Sequence, residues 1–334
     1  MVAPSLYTVF RTKETLIRPL LALVSLSLAS LGAIAQSFPN KPVRIVVPFP
    51  PGGGTDVVVR VLAPKISDHL GQQVIVENRA GAGSSIGTDF VAKSPADGYT
   101  LLVATASTTI NQTLSKNKTL DLARDFAPVV HLVLNQNLMA VHPSVPATNV
   151  REFIALAKGK PGTVTYASYG NGTSAHLIAE LFKMMAGVDP VHVPHKGAAP
   201  AVNDLLGGQV NVIFADIAAI LPHARAGKVR PLGVGSSTRF HGLPDVPTVA
   251  EDGVPGFEGS AFLALVAPAG TPRAAINAAN AATVKALDDA EVSKRIADLA
   301  GMPMGGSPEK LGEFLRTDVA KWARVIQAGN VRAD

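Results

Sequence analysis

The stretch RIVVPFPPGGGTDVVVR, residues 44–60, decides how this chain is read. VRIVV (43–47) is an unbroken apolar run rich in β-branched residues, the pattern of a strand buried on both faces. Three glycines follow it, and from Val57 to about Leu70 the apolar residues return at helical spacing, with Pro64 expected to kink or break the helix. Glycines at such a turn permit positive φ and let a ligand approach the main chain closely. Thr55 or Asp56 is the expected N-cap. The first N–H groups of a helix lack intrahelical partners and lie at the positive end of its dipole, so this turn is a natural anion site. No Lys or Arg stands in it. A Walker loop would carry Lys after its last glycine, where Asp56 stands instead, and GGGTDV does not supply G-x-G-x-x-G. GAGSSIG (81–87) matches that fingerprint loosely, but no convincing acidic ribose partner follows.

Outward from this unit, strand-like and helix-like segments alternate. QVIVEN (73–78), GYTLLVAT (98–105), TVTYAS (163–168), VNVIFAD and PLGVGS read as strands; REFIALAKG (151–159), AHLIAELFKMMAG (175–187) and IAAILPHARAG read as helices. SAFLALVAP (260–268) is one more strand, and the tail from Thr271 reads as helical. The alternation implies an α/β protein of mostly parallel sheets with flanking helices. Two strand-rich halves suggest two lobes, with a first crossing expected near 135–141 and a return near 260–266. The expected domains are residues 36–138 with 263–334 for one lobe and 139–262 for the other.

Composition narrows the function classes. Hydrophobic residues make up 47% of the 334, yet the long apolar run is N-terminal: PLLALVSLSLASLGAIA, residues 19–35. Arg11, Lys13 and Arg18 precede it and Ala33-Ile34-Ala35 ends it, the layout of a secretory signal peptide (1–35) with cleavage expected after Ala35. The chain has no cysteine, so disulfides, thiol catalysis and a lipid-anchored N-terminus are not expected. The mature protein is therefore expected to be periplasmic and free of the membrane. Of the formal charge of +5, the leader contributes about +2, and no basic run supports nucleic-acid binding.

The turn after the first strand has counterparts. YASYGNGTSAH (166–176) runs from a strand through two glycines into a helix that Thr173 or Ser174 can cap, and TASTT (105–109) is a polar turn after another strand. Ligands of open α/β sheets gather at the carboxyl ends of strands, where all three stretches are expected. Enzyme readings find less support. No hydrolase serine elbow is read, His192 and His195 on an extended segment point apart, and Asp216 is either a base or a helix cap. An exported hydrolase using Asp216 and His176 is the alternative kept open. No metal or cofactor is expected.

Taken together, FPNKPVRIVVPFPPGGGTD, GQQVIVENRAGAG, ADGYTLL, ASYGNGTSAHL, VHVPHKGAAPAVNDLLGGQV and LPDVPTVAEDGVPGFEG, in this order, resemble the Bug family, the extracytoplasmic solute receptors of tripartite tricarboxylate transporters. The resemblance covers essentially the whole mature chain. It implies a two-lobed type II periplasmic binding protein fold with a hinge, capture of a small organic carboxylate in place of catalysis, and a membrane transporter as partner; a monomer is expected. It carries over ligand contacts to Phe49, Pro51, Gly52, Gly53, Thr55 and Asp56, to Thr105 and Ser107, to Ser168, Gly170, Gly172, Thr173 and His176, and, near a cleft-lining position, to Asp216. The chain departs from the family at His195-Lys196-Gly197, at Phe214-Ala215-Asp216, where the acid is displaced by one, and at Ala261-Phe262-Leu263.

Overall fold

A computed structural model describes residues 38–114 and 120–332. The expected leader and its expected cleavage site lie outside the described residues. No helix among the described residues is long and apolar enough to cross a membrane. Residues from Lys41 onward form one compact unit.

The first sheet opens with β1 (Val43–Val47), β2 (Val74–Asn78) and β3 (Thr100–Thr105). β1 lies between β2 and β3, parallel to both. Between these strands run α1 (Gly54–Leu70) and α2 (Ser85–Ala92). α1 continues past Pro64, where a kink or break was expected. Its buried face, with Val58, Val59, Leu62 and Ile66, is held on the sheet, and that packing outweighs the lost backbone bond. TASTT is not a turn: α3 (Ala106–Leu114) starts directly after Thr105. Three threonines are poor helix formers, but Thr109 is fully buried and its hydroxyl donates to Asp318 at 2.7 Å, so tertiary contact overrides propensity.

After a short α4 (Leu122–Asp125), β4 (Phe126–Asn135) and β5 (Asn137–Val141) follow with one residue between them. β4 belongs to the first sheet and β5 to the second, so the chain changes sheets at Gln136. The second sheet adds α5 (Val150–Gly159), β6 (Thr165–Ser168), α6 (Ser174–Ala186), β7 (Val191–Pro194), α7 (Ala198–Leu206), β8 (Val212–Asp216), α8 (Ile217–Arg225) and β9 (Arg230–Val234). Gly259 still hydrogen-bonds Gly235, whereas β10 (Ala261–Pro268) pairs with β3 and β4, which puts the return at Ser260. The changes of sheet therefore fall about two residues before the expected lobe boundaries.

The sheets run β11-β4-β10-β3-β1-β2 and β7-β6-β8-β5-β9. They are mixed, not mostly parallel: the crossing strands β4, β5 and β10 pair antiparallel with their neighbours. A strand that enters a sheet directly from the other half needs no crossover helix and is free to run against its neighbours. The tail holds α9 (Arg273–Leu287), α10 (Ala290–Asp298) and α11 (Pro308–Ala328), but also the edge strand β11 (Gly301–Gly305), which was read as helical. Its sequence GMPMG has little strand propensity and carries a proline tolerated at an edge; pairing with β4 holds it. One apolar cluster runs from Val46 and Leu102 of the first sheet through Trp322 of α11 to Tyr166 and Phe214 of the second.

Candidate functional site

The glycine turn after β1 is organised by a buried acid. α1 has Gly53 as N-cap with no side-chain cap, so neither Thr55 nor Asp56 occupies the expected position. Asp56 lies in the first turn, 2% exposed, and its carboxylate reaches back to accept from the Gly52 amide at 2.8 Å. It also accepts from Asn78 Nδ2 at 2.8 Å and from Arg60 Nε at 2.9 Å. Asn78 Nδ2 in turn reaches the Phe49 carbonyl. Burial pushes the Asp56 carboxyl up, but hydrogen bonds from Arg60, Gly52 and Asn78, with the Arg60 charge, outweigh it and hold the group below its ordinary range. Asp56 is thus fully engaged as the brace of the loop, and the Gly52 amide is engaged with it. Gly52, at φ +80°, has a conformation that side chains rarely adopt.

What remains is the helix start itself. The first intrahelical bond runs from the Val57 amide to the Gly53 carbonyl. The N–H groups of Gly53, Gly54 and Thr55 precede it, at the carboxyl end of β1, with the glycines exposed. Thr105 closes the adjacent parallel strand at the same end of the sheet. Its Oγ1 is buried without a hydrogen-bond partner, while its amide donates to Thr108 Oγ1. Ser107 is the second residue of α3.

The second sheet repeats the device. Thr173 caps α6: its hydroxyl accepts from the His176 amide at 3.4 Å and donates to the Gly170 carbonyl at 2.8 Å. Several expected contacts are already engaged inside the loop. The Gly170 amide donates to Ser168 Oγ, and the Gly172 amide to His176 Nδ1. Ser168 is fully buried, with Oγ 2.6 Å from His192 Nε2. His176 stacks on His192 at 3.9 Å, and His192 stacks on Tyr166. Burial pushes His192 down to about 4, aided by the neighbouring His176, so His192 is neutral at ordinary pH. Ser168, Gly170, Gly172 and His176 therefore shape the loop. The Ser174 and Ala175 amides, which the sequence reading passed over, are the ones left at the helix start. Counting the i→i−4 bonds back from Leu177, whose amide reaches the Thr173 carbonyl, identifies them.

The two loops are on different sheets, and α3, which follows Thr105 of the first sheet, ends against the second loop: a Cβ at Gly172 would lie 2.5 Å from Leu114 Cδ2. Asp216 closes β8, beside β6. His195 is held by Asp204 at 2.8 Å and by the Val193 carbonyl, so both ring nitrogens are engaged. The elbow spacing G-x-S-x-G does occur, at Gly83–Gly87 around Ser85, which corrects the sequence reading. Ser85 has ordinary helical backbone (φ −61°, ψ −35°), and Gly87 is there for packing, since a Cβ would meet the Arg79 carbonyl at 2.8 Å.

A family profile described as tripartite tricarboxylate transporter family receptor matches residues 58–331. The protein BugT of Bordetella pertussis is 38% identical over 314 residues, covering 92% of this chain and 96% of BugT. The structure of Rpa4515 from R. palustris with adipate superimposes with a TM-score of 0.73 at 34% identity, over 88% of this chain and 99% of that one. MatC from Rhodopseudomonas palustris with bound malate gives a TM-score of 0.71 at 32% identity, over 86% and 100%.

Proposed function

The chain belongs to the tripartite tricarboxylate transporter receptor family, and from that premise we propose that it is a periplasmic receptor that captures a small organic carboxylate between two lobes and delivers it to a membrane transporter. The observation that carries this reading is the pair of helix starts, α1 and α6, each at the carboxyl end of a strand and each without a Lys or Arg in its loop. Amides of Gly53, Gly54 and Thr55 on one side and of Ser174 and Ala175 on the other suit an anion that must be both held and released. Two or three charge-assisted bonds, each about 1.5–3 kcal/mol before association costs, match micromolar affinity, about −8 kcal/mol.

The lobes move about Gln136 and Ser260, where the chain changes sheets; the described residues up to 135 with those from 261 form one lobe and 137–259 the other. A ligand that touches both lobes favours the closed form. The hydrolase alternative has no observation in its favour, since His176 is engaged with Gly172 and stacked on His192. Isothermal titration against dicarboxylates, tricarboxylates, acidic and other amino acids and aromatic acids tests the reading. Saturable one-to-one binding of at least one acid is expected, and silence across the panel would overturn it.

A further inference from the structure

Asp216 is the N-cap of α8, a position where Asp ordinarily accepts from a helix amide, yet its side chain makes no such bond. Its own amide donates to the Tyr169 hydroxyl at 3.1 Å, which ties it to the loop after β6. Among the described residues nothing hydrogen-bonds or ion-pairs with its carboxylate, and burial pushes that group up to about 6. Across the β5–β8 ladder the residue in register with it is Asn137, the first residue after the sheet change. Antiparallel partners project from the same face of a sheet, with Cβ atoms about 5 Å apart. Asn137 is 1% exposed, and neither Nδ2 nor Oδ1 has a partner. One face at the hinge end of the second sheet thus carries a carboxylate and a primary amide with unfilled hydrogen-bonding capacity. A buried amide such as that of Asn137 is kept where something else supplies its partners, and the carboxylate of Asp216 beside it is partly exposed and open to a ligand.

The chemistry of that pair selects among acids. A second ligand carboxylate would meet a like charge at Asp216. A hydroxyl would offer one hydrogen and leave the charge uncompensated. An ammonium group offers three N–H donors, enough for the Asp216 carboxylate and Asn137 Oδ1 together, and cancels the charge. We propose that Asp216 is the specificity-determining residue and that the ligand is an amino-carboxylic acid, its carboxylate at the helix amides and its ammonium at Asp216 and Asn137. This assignment rests on the receptor reading above and sharpens it.

Titration at pH 7.5 with length-matched pairs tests it: 4-aminobutanoate against succinate, and 5-aminopentanoate and L-glutamate against glutarate. In at least one pair the amino member should bind roughly tenfold tighter or more. Asp216→Asn should lower that affinity roughly 10- to 100-fold while the dicarboxylate binds as before or better. Asn137→Ala should move it the same way by less, and unchanged circular dichroism with an unchanged ligand-free unfolding midpoint would show both variants folded. Preference for the dicarboxylate in every pair, or a preference untouched by Asp216→Asn, would overturn the assignment and leave the receptor reading standing. If no acid of either kind bound, both would fall.

Discussion

Replacing Asp56 by Ala should loosen the β1–α1 loop and weaken binding without any ligand contact of its own being removed. The carboxylate is 2% exposed and accepts from Gly52 and Asn78 at 2.8 Å each and from Arg60 at 2.9 Å. The Arg60 side chain is half exposed, so solvent screens that ion pair and it adds little. The other two bonds, to a charged acceptor, contribute about 1.5–3 kcal/mol each, and water reaching the exposed glycines offsets part of the loss. We expect about 3 kcal/mol of destabilisation in urea unfolding, with a clearly smaller effect for Arg60→Ala, whose charge is screened by solvent. Ordering one or two freed residues costs about 1–2 kcal/mol each, so affinity for the best acid of the panel should drop about 10- to 100-fold. Parallel urea melts and titrations measure both. An Asp56→Ala protein within 0.5 kcal/mol of the parent, with affinity intact, would refute the view that this acid braces the loop.

Gly53→Val should act the other way, abolishing binding while changing stability by less than about 1 kcal/mol. Its backbone (φ −74°) accepts a side chain and a Cβ would meet only the Pro50 carbonyl at 3.6 Å, so retained affinity would show that this amide faces no ligand. His131 makes the fold acid-sensitive: buried against Phe262 and Phe314, it is pushed down to about 4 by burial, against a partial pull upward from Asp318. As pH falls from about 6.5 to about 4 the unfolded chain takes up the proton first, so stability should decline across that window, by about 3 kcal/mol at most. His131→Gln, melted at pH 7 and pH 4.5, should show a shallower decline; equal slopes would rule His131 out as the cause.

Much of the framework was legible because it is local. VRIVV followed by PGGGTD marks a strand, a turn and a helix start through β-branching, backbone freedom and helical spacing, each settled within a few residues. YASYGNGTSAH could be read in the same way, and so could the absence of a cationic side chain from both loops. Local patterns could not show which strands share a sheet. The run from Phe126 to Val141 is interrupted only at Asn135-Gln136-Asn137; a crossing was expected near 135–141, but the strands that pair on either side of it were not legible. β11 and α3 defy their own propensities because β4 and Asp318 hold them.

The sequence by itself determined that helix starts follow strands in both halves and that uncharged amides are the donors there, since both properties are written in short runs of residue type. The tertiary structure alone decided which of those donors are free. Asp56, His176 and Ser168, expected as ligand contacts, are engaged with Gly52, Gly172 and His192, while among the described residues the Asn137 side-chain amide and the Asp216 carboxylate have no hydrogen-bond partner. Hydrogen-bonding capacity is saturable, and whether a group has been satisfied depends on neighbours tens of residues away, which only the folded chain brings within 3 Å.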